Sequence, residues 1–164
     1  MTALRIGQGF DAHRFGAGLP LRLCGHRLDG EVGLEGHSDA DVALHAVTDA
    51  ILGALALGDI GEHFPSSEPL WRDTDSAVFL ARALKMVEGE GFRLVNCDLT
   101  LIGERPRIAE HRRVLRASLA GLLGLGEGWV SVKATTTDGL GWTGRGEGLA
   151  ALAVVLLEEV AEDA

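Results

Sequence analysis

The sequence predicts an α/β chain, an α+β sandwich in which one mixed β-sheet carries about three helices on one face. Three observations carry that expectation. Strand-like and helix-like segments alternate along all 164 residues. The length suits one domain with a substantial core, and no linker, low-complexity tract or internal repeat divides it. Residues 1–164 therefore read as a single unit.

Leu4 to Phe10 reads as a first strand, delivering Asp11 and His13 at its C-terminal end. Leu21 to Leu28, interrupted by Gly25, reads as a short hairpin. Ser38 to Leu57 is expected to be the first long helix: Ser38 and Asp41 have the Ser-x-x-acid spacing of a capping box, and Gly58 stops the run. Ser76 to Glu88 is a second helix, with Val78, Phe79, Ala81, Leu84 and Val87 at helical spacing and Gly89 and Gly91 at its end. Phe92 to Ile102 is a strand, since Leu99 and Leu101 alternate with Asp98 and Thr100. Pro106 to Leu123 is a third helix opened by a first-turn proline. Trp129 to Thr136 is a strand. Gly148 to Val160 fits either period, and Val154-Val155 with the preceding glycines favours strand for its central part.

The charge balance, 15 basic against 24 acidic residues, offers no basic stripe for a phosphate backbone, which argues against nucleic acid as a partner. Single cations such as Arg107, Lys133 and Arg145 stand in an acidic background. Cys24 and Cys97 form no closely spaced pair, so neither a zinc knuckle nor a redox motif is present and a reduced, cytoplasmic setting is expected. Met1 to Ile6 lacks the apolar core of a signal peptide, and the longest apolar stretch, Leu149 to Leu157, is too short to span a bilayer. A soluble protein without a membrane partner is expected.

Candidate chemistry begins with Asp11-Ala12-His13 and His37-Ser38-Asp39-Ala40-Asp41-Val42-Ala43-Leu44-His45, which hold three of the six histidines. In a strand, residues two apart share a side, so Asp11 and His13 can face one ion. His45, placed two turns into a helix with Asp41 and Asp49 one turn either side, is the candidate third ligand. Asp41 as a helix-terminus charge and Asp49 as a solvated acid remain the plainer readings of those two. An Asp-His-His set suits zinc or a similar divalent ion and leaves a position open for substrate.

A second candidate region runs from Thr135 to Gly148, where Thr135, Thr136, Thr137, Asp138, Arg145 and five glycines crowd fourteen residues. Glycines let backbone N–H groups approach an anion, threonine hydroxyls donate to phosphate oxygens, and arginine offers a planar fork. Gly139-Leu140-Gly141-Trp142-Thr143-Gly144 also spells a dinucleotide fingerprint. That reading is rejected: the fingerprint needs a following helix inside a βαβ unit and an acid roughly twenty residues on, where only the Glu162-Asp163 tail is available.

Together, Gly9 to His13, His37 to His45, Gly58 to Pro65 and Lys133 to Gly148 resemble the 2-C-methyl-D-erythritol 2,4-cyclodiphosphate synthase family, in four motifs in the expected order over nearly the whole chain. The resemblance implies a lyase of non-mevalonate isoprenoid synthesis. Its reaction converts 4-diphosphocytidyl-2-C-methyl-D-erythritol 2-phosphate into the cyclic diphosphate and CMP. It implies Asp11, His13 and His45 as zinc ligands, with the open position for a β-phosphate oxygen. His37 and Thr136 would be transition-state stabilisers, and His37 and Ser38 phosphate contacts. Asp59, Ile60 and Gly61 would hold the methylerythritol hydroxyls, and Phe64, Pro65, Ser66, Ser67 and Glu68 would line the same pocket. Gly103, Pro106, Arg107, Ile108 and Ala109 would bind the cytidine and its phosphates together with Thr135, Thr137 and Asp138, while Trp142 and Arg145 also belong to the substrate set.

Asp138 stands where the family usually has a glutamate for a second, Mg2+ or Mn2+, ion; one methylene shorter, it can bind through water. Gln8 replaces a frequent histidine, Arg107 a common lysine that it can replace at a phosphate, and Ser66 an acid. The resemblance further implies a homotrimer with active sites between subunits. A central cavity would accept an isoprenoid diphosphate, with Phe10, Arg145 and Glu147 as candidate lining. The substrate's own 2-phosphate would be the nucleophile, which accounts for the lack of a Ser-His-Asp or Cys-His set. Two rivals use the same residues differently: a metal-dependent phosphohydrolase that activates water, and a non-catalytic trimer binding nucleotide or isoprenoid phosphate.

Overall fold

The computed structural model describes residues 2–161, so the Glu162-Asp163 tail lies outside the described residues. In chain order the elements are β1 (Leu4–Gly16), β2 (Leu21–Leu23), β3 (His26–Leu28), β4 (Gly33–Leu34), α1 (Val42–Ala54), α2 (Ile60–His63), α3 (Ser76–Gly89), β5 (Phe92–Ile102), α4 (Ile108–Leu123), β6 (Val130–Thr135), α5 (Gly141–Gly144) and β7 (Gly148–Glu159). Five strands form one mixed sheet in the order β4-β1-β7-β5-β6, with β5 and β6 parallel and the other neighbours antiparallel. The hairpin β2–β3 stands apart. Helices α1, α3 and α4 pack on one sheet face, as the sequence predicts.

The alternation of each strand decides that face. Leu149, Ala151, Ala153, Val155 and Leu157 of β7, with Cys97, Leu99 and Leu101 of β5, point inward and are buried. β7 is strand throughout rather than only in its centre, because it pairs with β1 on one side and β5 on the other. Its outward residues Leu152, Val154 and Leu156 are apolar too, which erases the period-two signal in the sequence. Burial pushes the Cys97 thiol up to about 12 and raises that of Cys24, so both are packing residues rather than nucleophiles.

Helix α1 lies unusually close to β1. The inward row of β1 is Gly7, Gly9, Asp11, His13, and a Cβ on Gly7 would overlap the Ala50 carbonyl and sit 2.6 Å from Ala54 N. A Cβ on Gly9 would overlap the Ala46 carbonyl and sit 2.6 Å from Ala50 N. The helix offers Ala46, Ala50 and Ala54 in return, one small side chain per turn. Four helical residues rise about 6 Å and two strand residues about 6.7 Å, so the alanine ridge and the glycine row stay in step.

Both ends of α1 differ from expectation. Asp41, not Ser38, is the N-cap: its carboxylate accepts from Leu44 N at 3.1 Å and, across the chain, from Cys24 N at 3.1 Å and Gly25 N at 2.6 Å. Those two donors form the β2–β3 turn, where Cys24 (φ 56°) and Gly25 (φ 75°) both take the left-handed region of a two-residue hairpin. Asp41 therefore offsets the strain of a cysteine at positive φ, and burial pushes its own carboxyl up to about 6 against the pull of the Gly25 and Leu44 donors. At the other end the helix stops at Ala54, with Ala56 left-handed (φ 58°) and Leu57 N bonded to Leu52 O at 3.0 Å. That closure is usually made by glycine, so an alanine there hides the stop.

Two further boundaries move. β1 runs on to Gly16 past the expected end at Phe10, because pairing with β7 continues to Arg14↔Gly148. Asp11 and His13 are thus held inside a strand, not at its tip. Helix α4 begins at Ile108 with Arg107 as N-cap, and Glu110 N bonds to Arg107 O at 3.1 Å, which leaves Pro106 in the preceding turn.

Gly9→Ala is expected to lower unfolding stability by about 2–3 kcal/mol through overpacking against α1, measured by urea denaturation; wild-type stability would contradict the contact. Asp41→Ala is expected to cost about 3 kcal/mol, because three backbone donors lose their acceptor. A loss under about 1 kcal/mol in the same assay would mean that water replaces the carboxylate.

Candidate metal centre and its pocket

Helix α1 has placed His45 in its first turn, facing the two β1 residues that follow the glycines. Asp11 Oδ2 lies 2.9 Å from His13 Nε2 and 2.9 Å from His45 Nδ1, and the two imidazole nitrogens are 3.2 Å apart. A tetrahedral ion with bonds of about 2.0–2.1 Å has ligand edges of roughly 3.3 Å, so the three atoms fit one small divalent cation with little movement. Among the described residues this is the group of acidic, histidine or cysteine side chains close enough to share an ion.

Their outer atoms are tied down. His13 Nδ1 donates to the Glu35 carbonyl at 2.7 Å, since a carbonyl can only accept, which leaves Nε2 as a lone pair. His45 Nε2 meets Ser76 Oγ at 2.9 Å and Ser38 Oγ at 3.1 Å. Such hydrogen bonds to the far nitrogen are what orient a histidine ligand. Burial would raise the Asp11 carboxyl, but in the absence of an ion the imidazolium forms of His13 and His45, protonated on both nitrogens, donate to it and with their charge hold it well below the usual carboxylate range. Burial pulls the His13 imidazole down, yet the bond and charge of Asp11 prevail and raise it. A field that favours a second proton on His13 favours a divalent cation more.

The acids flanking His45 are not additional ligands. Asp41 is fully buried in its capping role, and Asp49 accepts from Ile60 N at 2.7 Å, anchoring the start of α2. Burial raises the Asp49 carboxyl.

Beside the three atoms opens a pocket of about 210 Å³. Asp11, His13 and His45 form one wall, with His37 and Ser38 next to them. Ile60, Gly61, Phe64 and Ser66 line the side contributed by α2 and the loop after it. Trp71 and Phe79 complete it, and Phe64 stacks on Phe79 at 4.7 Å between centroids and meets Trp71 edge-on at 5.3 Å. Pro65, Ser67 and Glu68 do not line the pocket. Asp59 also turns elsewhere, capping α2 through Glu62 N at 2.9 Å. Trp71, Phe79, Ser76 and Glu35 escaped the sequence reading. The spacing of Phe79 marks only a core position of its helix, and the other three carry no local motif; only the fold brings them here.

The remaining expected residues gather elsewhere. Gly103 N bonds to Thr135 O at 3.0 Å, so Gly103 to Ala109 and Thr135 to Asp138 adjoin at the C-terminal ends of the parallel pair β5–β6. Pro106 and Ile108 are buried there, while Arg107, Ala109, Thr136 and Asp138 are exposed. Asp138 sits at φ 55° and Gly139 at φ 76°, Thr137 Oγ1 donates to Leu140 O at 2.6 Å, and the four-residue α5 follows. Thr137 and Thr143 are tied by their hydroxyls at 2.9 Å. The chain then enters β7, an edge-to-centre return with no long helix, which rules out the dinucleotide fold around these glycines. Trp142 is 38% exposed, and Arg145 is paired with Glu147 at 2.6 Å. Both clusters lie at one end of the sheet, three strands apart, or about 14 Å at the usual strand spacing.

Residues 4–158 match the YgbB family. The chain belongs to the YgbB family. A relative from Geobacillus kaustophilus named 2-C-methyl-D-erythritol 2,4-cyclodiphosphate synthase is 54% identical over 155 residues, covering 94% of this chain and 98% of that one. A bifunctional enzyme IspD/IspF from Hyphomonas neptunium is 56% identical over 155 residues, and there the chain spans 41% of the relative's length. Among solved structures, 2C-methyl-D-erythritol-2,4-cyclodiphosphate synthase in a CDP-bound form superposes with a TM-score of 0.86 at 43% identity, covering 93% of this chain and 99% of that one. The sheet order and single-faced helices described above are thus the YgbB fold.

His45→Ala is expected to abolish stoichiometric zinc binding while leaving the circular dichroism spectrum unchanged; metal analysis showing wild-type zinc would exclude His45 as a ligand. Because bound metal needs deprotonated imidazoles, and His13 holds its proton more strongly than a free histidine, lowering pH from about 8 to about 5 should release metal progressively. Metal content independent of pH over that range would contradict the ligand set.

Proposed function

We propose that this chain is a 2-C-methyl-D-erythritol 2,4-cyclodiphosphate synthase, a lyase acting on 4-diphosphocytidyl-2-C-methyl-D-erythritol 2-phosphate to give the cyclic diphosphate and CMP. The carrying observation is the convergence of Asp11 Oδ2, His13 Nε2 and His45 Nδ1 beside an open pocket, in a chain that covers 98% of a 54%-identical relative bearing that name. These three side chains would hold a divalent ion, zinc by the chemistry of the donors, which would supply Lewis-acid polarisation and charge neutralisation at the substrate diphosphate.

The chain's own groups do the rest. His37 and Ser38, on the pocket wall, donate to phosphate oxygens. Ile60 and Gly61 offer backbone to the sugar hydroxyls, with Asp59 near the same turn, and the Phe64–Phe79–Trp71 aromatic set excludes water from the reacting phosphate. The loop after Phe64, with Pro65, Ser66, Ser67 and Glu68, closes that side. Aligning the substrate's 2-phosphate on the β-phosphorus is then a matter of positioning, and no side-chain nucleophile is needed.

The cytidine half belongs to the second cluster. Gly103, Pro106, Arg107, Ile108 and Ala109 with Thr135, Thr136 and Thr137 form it, and Trp142 and Arg145 stand at its edge. Asp138, an exposed carboxylate beside them, would hold a magnesium-like ion that would neutralise charge on the diphosphate. Neither cluster lines the other's pocket within one chain. A homotrimer, in which one subunit's metal pocket meets its neighbour's cytidine cluster, reconciles them. Support comes from the outward face of the sheet, where Ile6 is 72% exposed, Phe10 55% and Val154 39%. Phe10, Arg145 and Glu147 are the candidates to line a central cavity for an isoprenoid diphosphate. No helix among the described residues is long and apolar enough to cross a membrane, in keeping with a cytoplasmic enzyme.

Incubation with the diphosphocytidyl substrate, followed by phosphorus NMR, should give the cyclic diphosphate and CMP. A linear product would point to a hydrolase, and no turnover to a binding protein. Asp138→Ala should keep zinc at the triad and lose the magnesium dependence of turnover; an unchanged magnesium titration would remove Asp138 from the site.

A further inference from the structure

Behind His45 lie Ser76 and Asp39, two polar side chains outside the lining of the pocket. Ser76 is fully buried at the start of α3, and its hydroxyl bonds both to Asp39 Oδ1 and to His45 Nε2. A serine hydroxyl has one proton to give. Asp39, a carboxylate that can only accept, takes it, so Ser76 presents lone pairs to His45 and Nε2 must be the protonated nitrogen. Ser38 fits the same direction, because its Oγ accepts from Ala40 N at 3.3 Å, lies within reach of Nε2 and can donate to Ser76 Oγ at 3.4 Å.

Asp39 is itself held. Its Oδ1 accepts from Asp41 N at 3.2 Å, while Oδ2 is buried without a partner. A half-satisfied buried carboxylate is a cost to the fold. Its place at the end of a hydrogen-bonded relay to His45 assigns it a task there. We propose that Asp39, acting through Ser76, is a positioning residue that sets His45 in the Nε2–H tautomer and so aims the Nδ1 lone pair at the ion. This rests on the metal-centre reading above. The direction of the relay is fixed at the carboxylate: reversing it would require Asp39 to be protonated and Ser76 to donate to Nε2, which would put the proton on Nδ1, where the ion belongs.

The test uses the full chain stripped of metal, with zinc alone as the probe. Zinc affinity is measured by competition with a chromophoric chelator, and the His45 tautomer is read before zinc addition by long-range proton–nitrogen NMR. In the wild type the proton is expected on Nε2. Asp39→Asn keeps the shape but lets the amide donate to Ser76; it should populate the Nδ1–H tautomer and weaken zinc by about 10–100-fold. Ser76→Ala leaves the bond from Asp41 N to Asp39 intact and should weaken zinc to a similar degree. Wild-type tautomer and zinc affinity in both variants would overturn the proposal while leaving the metal site standing. Weakening in Asp39→Asn but not in Ser76→Ala would also overturn it, since the effect would then pass through the turn at Asp41. Failure of the wild-type chain to bind zinc would overturn the metal centre and the relay with it.

Discussion

The backbone of α1 rests directly on the backbone of β1, and the rest of the site depends on that contact. Gly7 and Gly9 leave no room for even a methyl group beneath Ala46, Ala50 and Ala54. The close approach fixes helix and strand both in distance and in axial register. Asp11 and His13 come two and four residues beyond Gly9 on the strand; one residue before the alanine ridge comes His45. Three ligand atoms drawn from two elements can lie 2.9–3.2 Å apart only because the elements that carry them cannot drift.

A second level of constraint acts on the ligands' protons. The Glu35 carbonyl and the Ser76 hydroxyl hold the outer nitrogens of His13 and His45, so the inner nitrogens face each other and an ionised carboxylate as acceptors. Three acceptors in contact repel unless a proton or a metal cation lies among them. The helix cap serves the same end from another direction: Asp41 ties the first turn of α1 to the β2–β3 hairpin, holding the segment from His37 to His45 against the strand. The helix-terminus reading of Asp41 thus holds, and the carboxylate serves architecture.

Much of this was legible in the sequence, and the failures have physical causes. The Asp-x-His spacing brought Asp11 and His13 to one face because period two is a property of any strand, and the approach of His45 to them followed from a helical pattern that survives error at its ends. The ends themselves were misjudged. Asp41 looked like the acid of a capping box when it was the cap, and Ala56 closed the helix in a conformation that composition does not advertise. β7 could not be resolved by periodicity because both its faces are apolar. Ser76, Trp71 and Glu35 reach the site from distant segments with nothing local to mark them, and Phe79 read only as a helical core residue. The Gly7-Gln8-Gly9 pair, by contrast, was available as a signal of close backbone approach, since glycine alternating in a strand leaves one face bare.

The division of the candidate chemistry into two clusters follows from topology. β1 and the β5–β6 pair point the same way but are kept apart by the antiparallel β7, so their C-terminal ends share one end of the sheet without sharing a pocket. The account stands or falls on the three-atom centre. Diffraction from zinc-grown crystals at the zinc absorption edge tests it directly: one anomalous peak is predicted within about 2.0–2.2 Å of Asp11 Oδ2, His13 Nε2 and His45 Nδ1. A zinc peak ligated by other atoms, or none at this place, would contradict it.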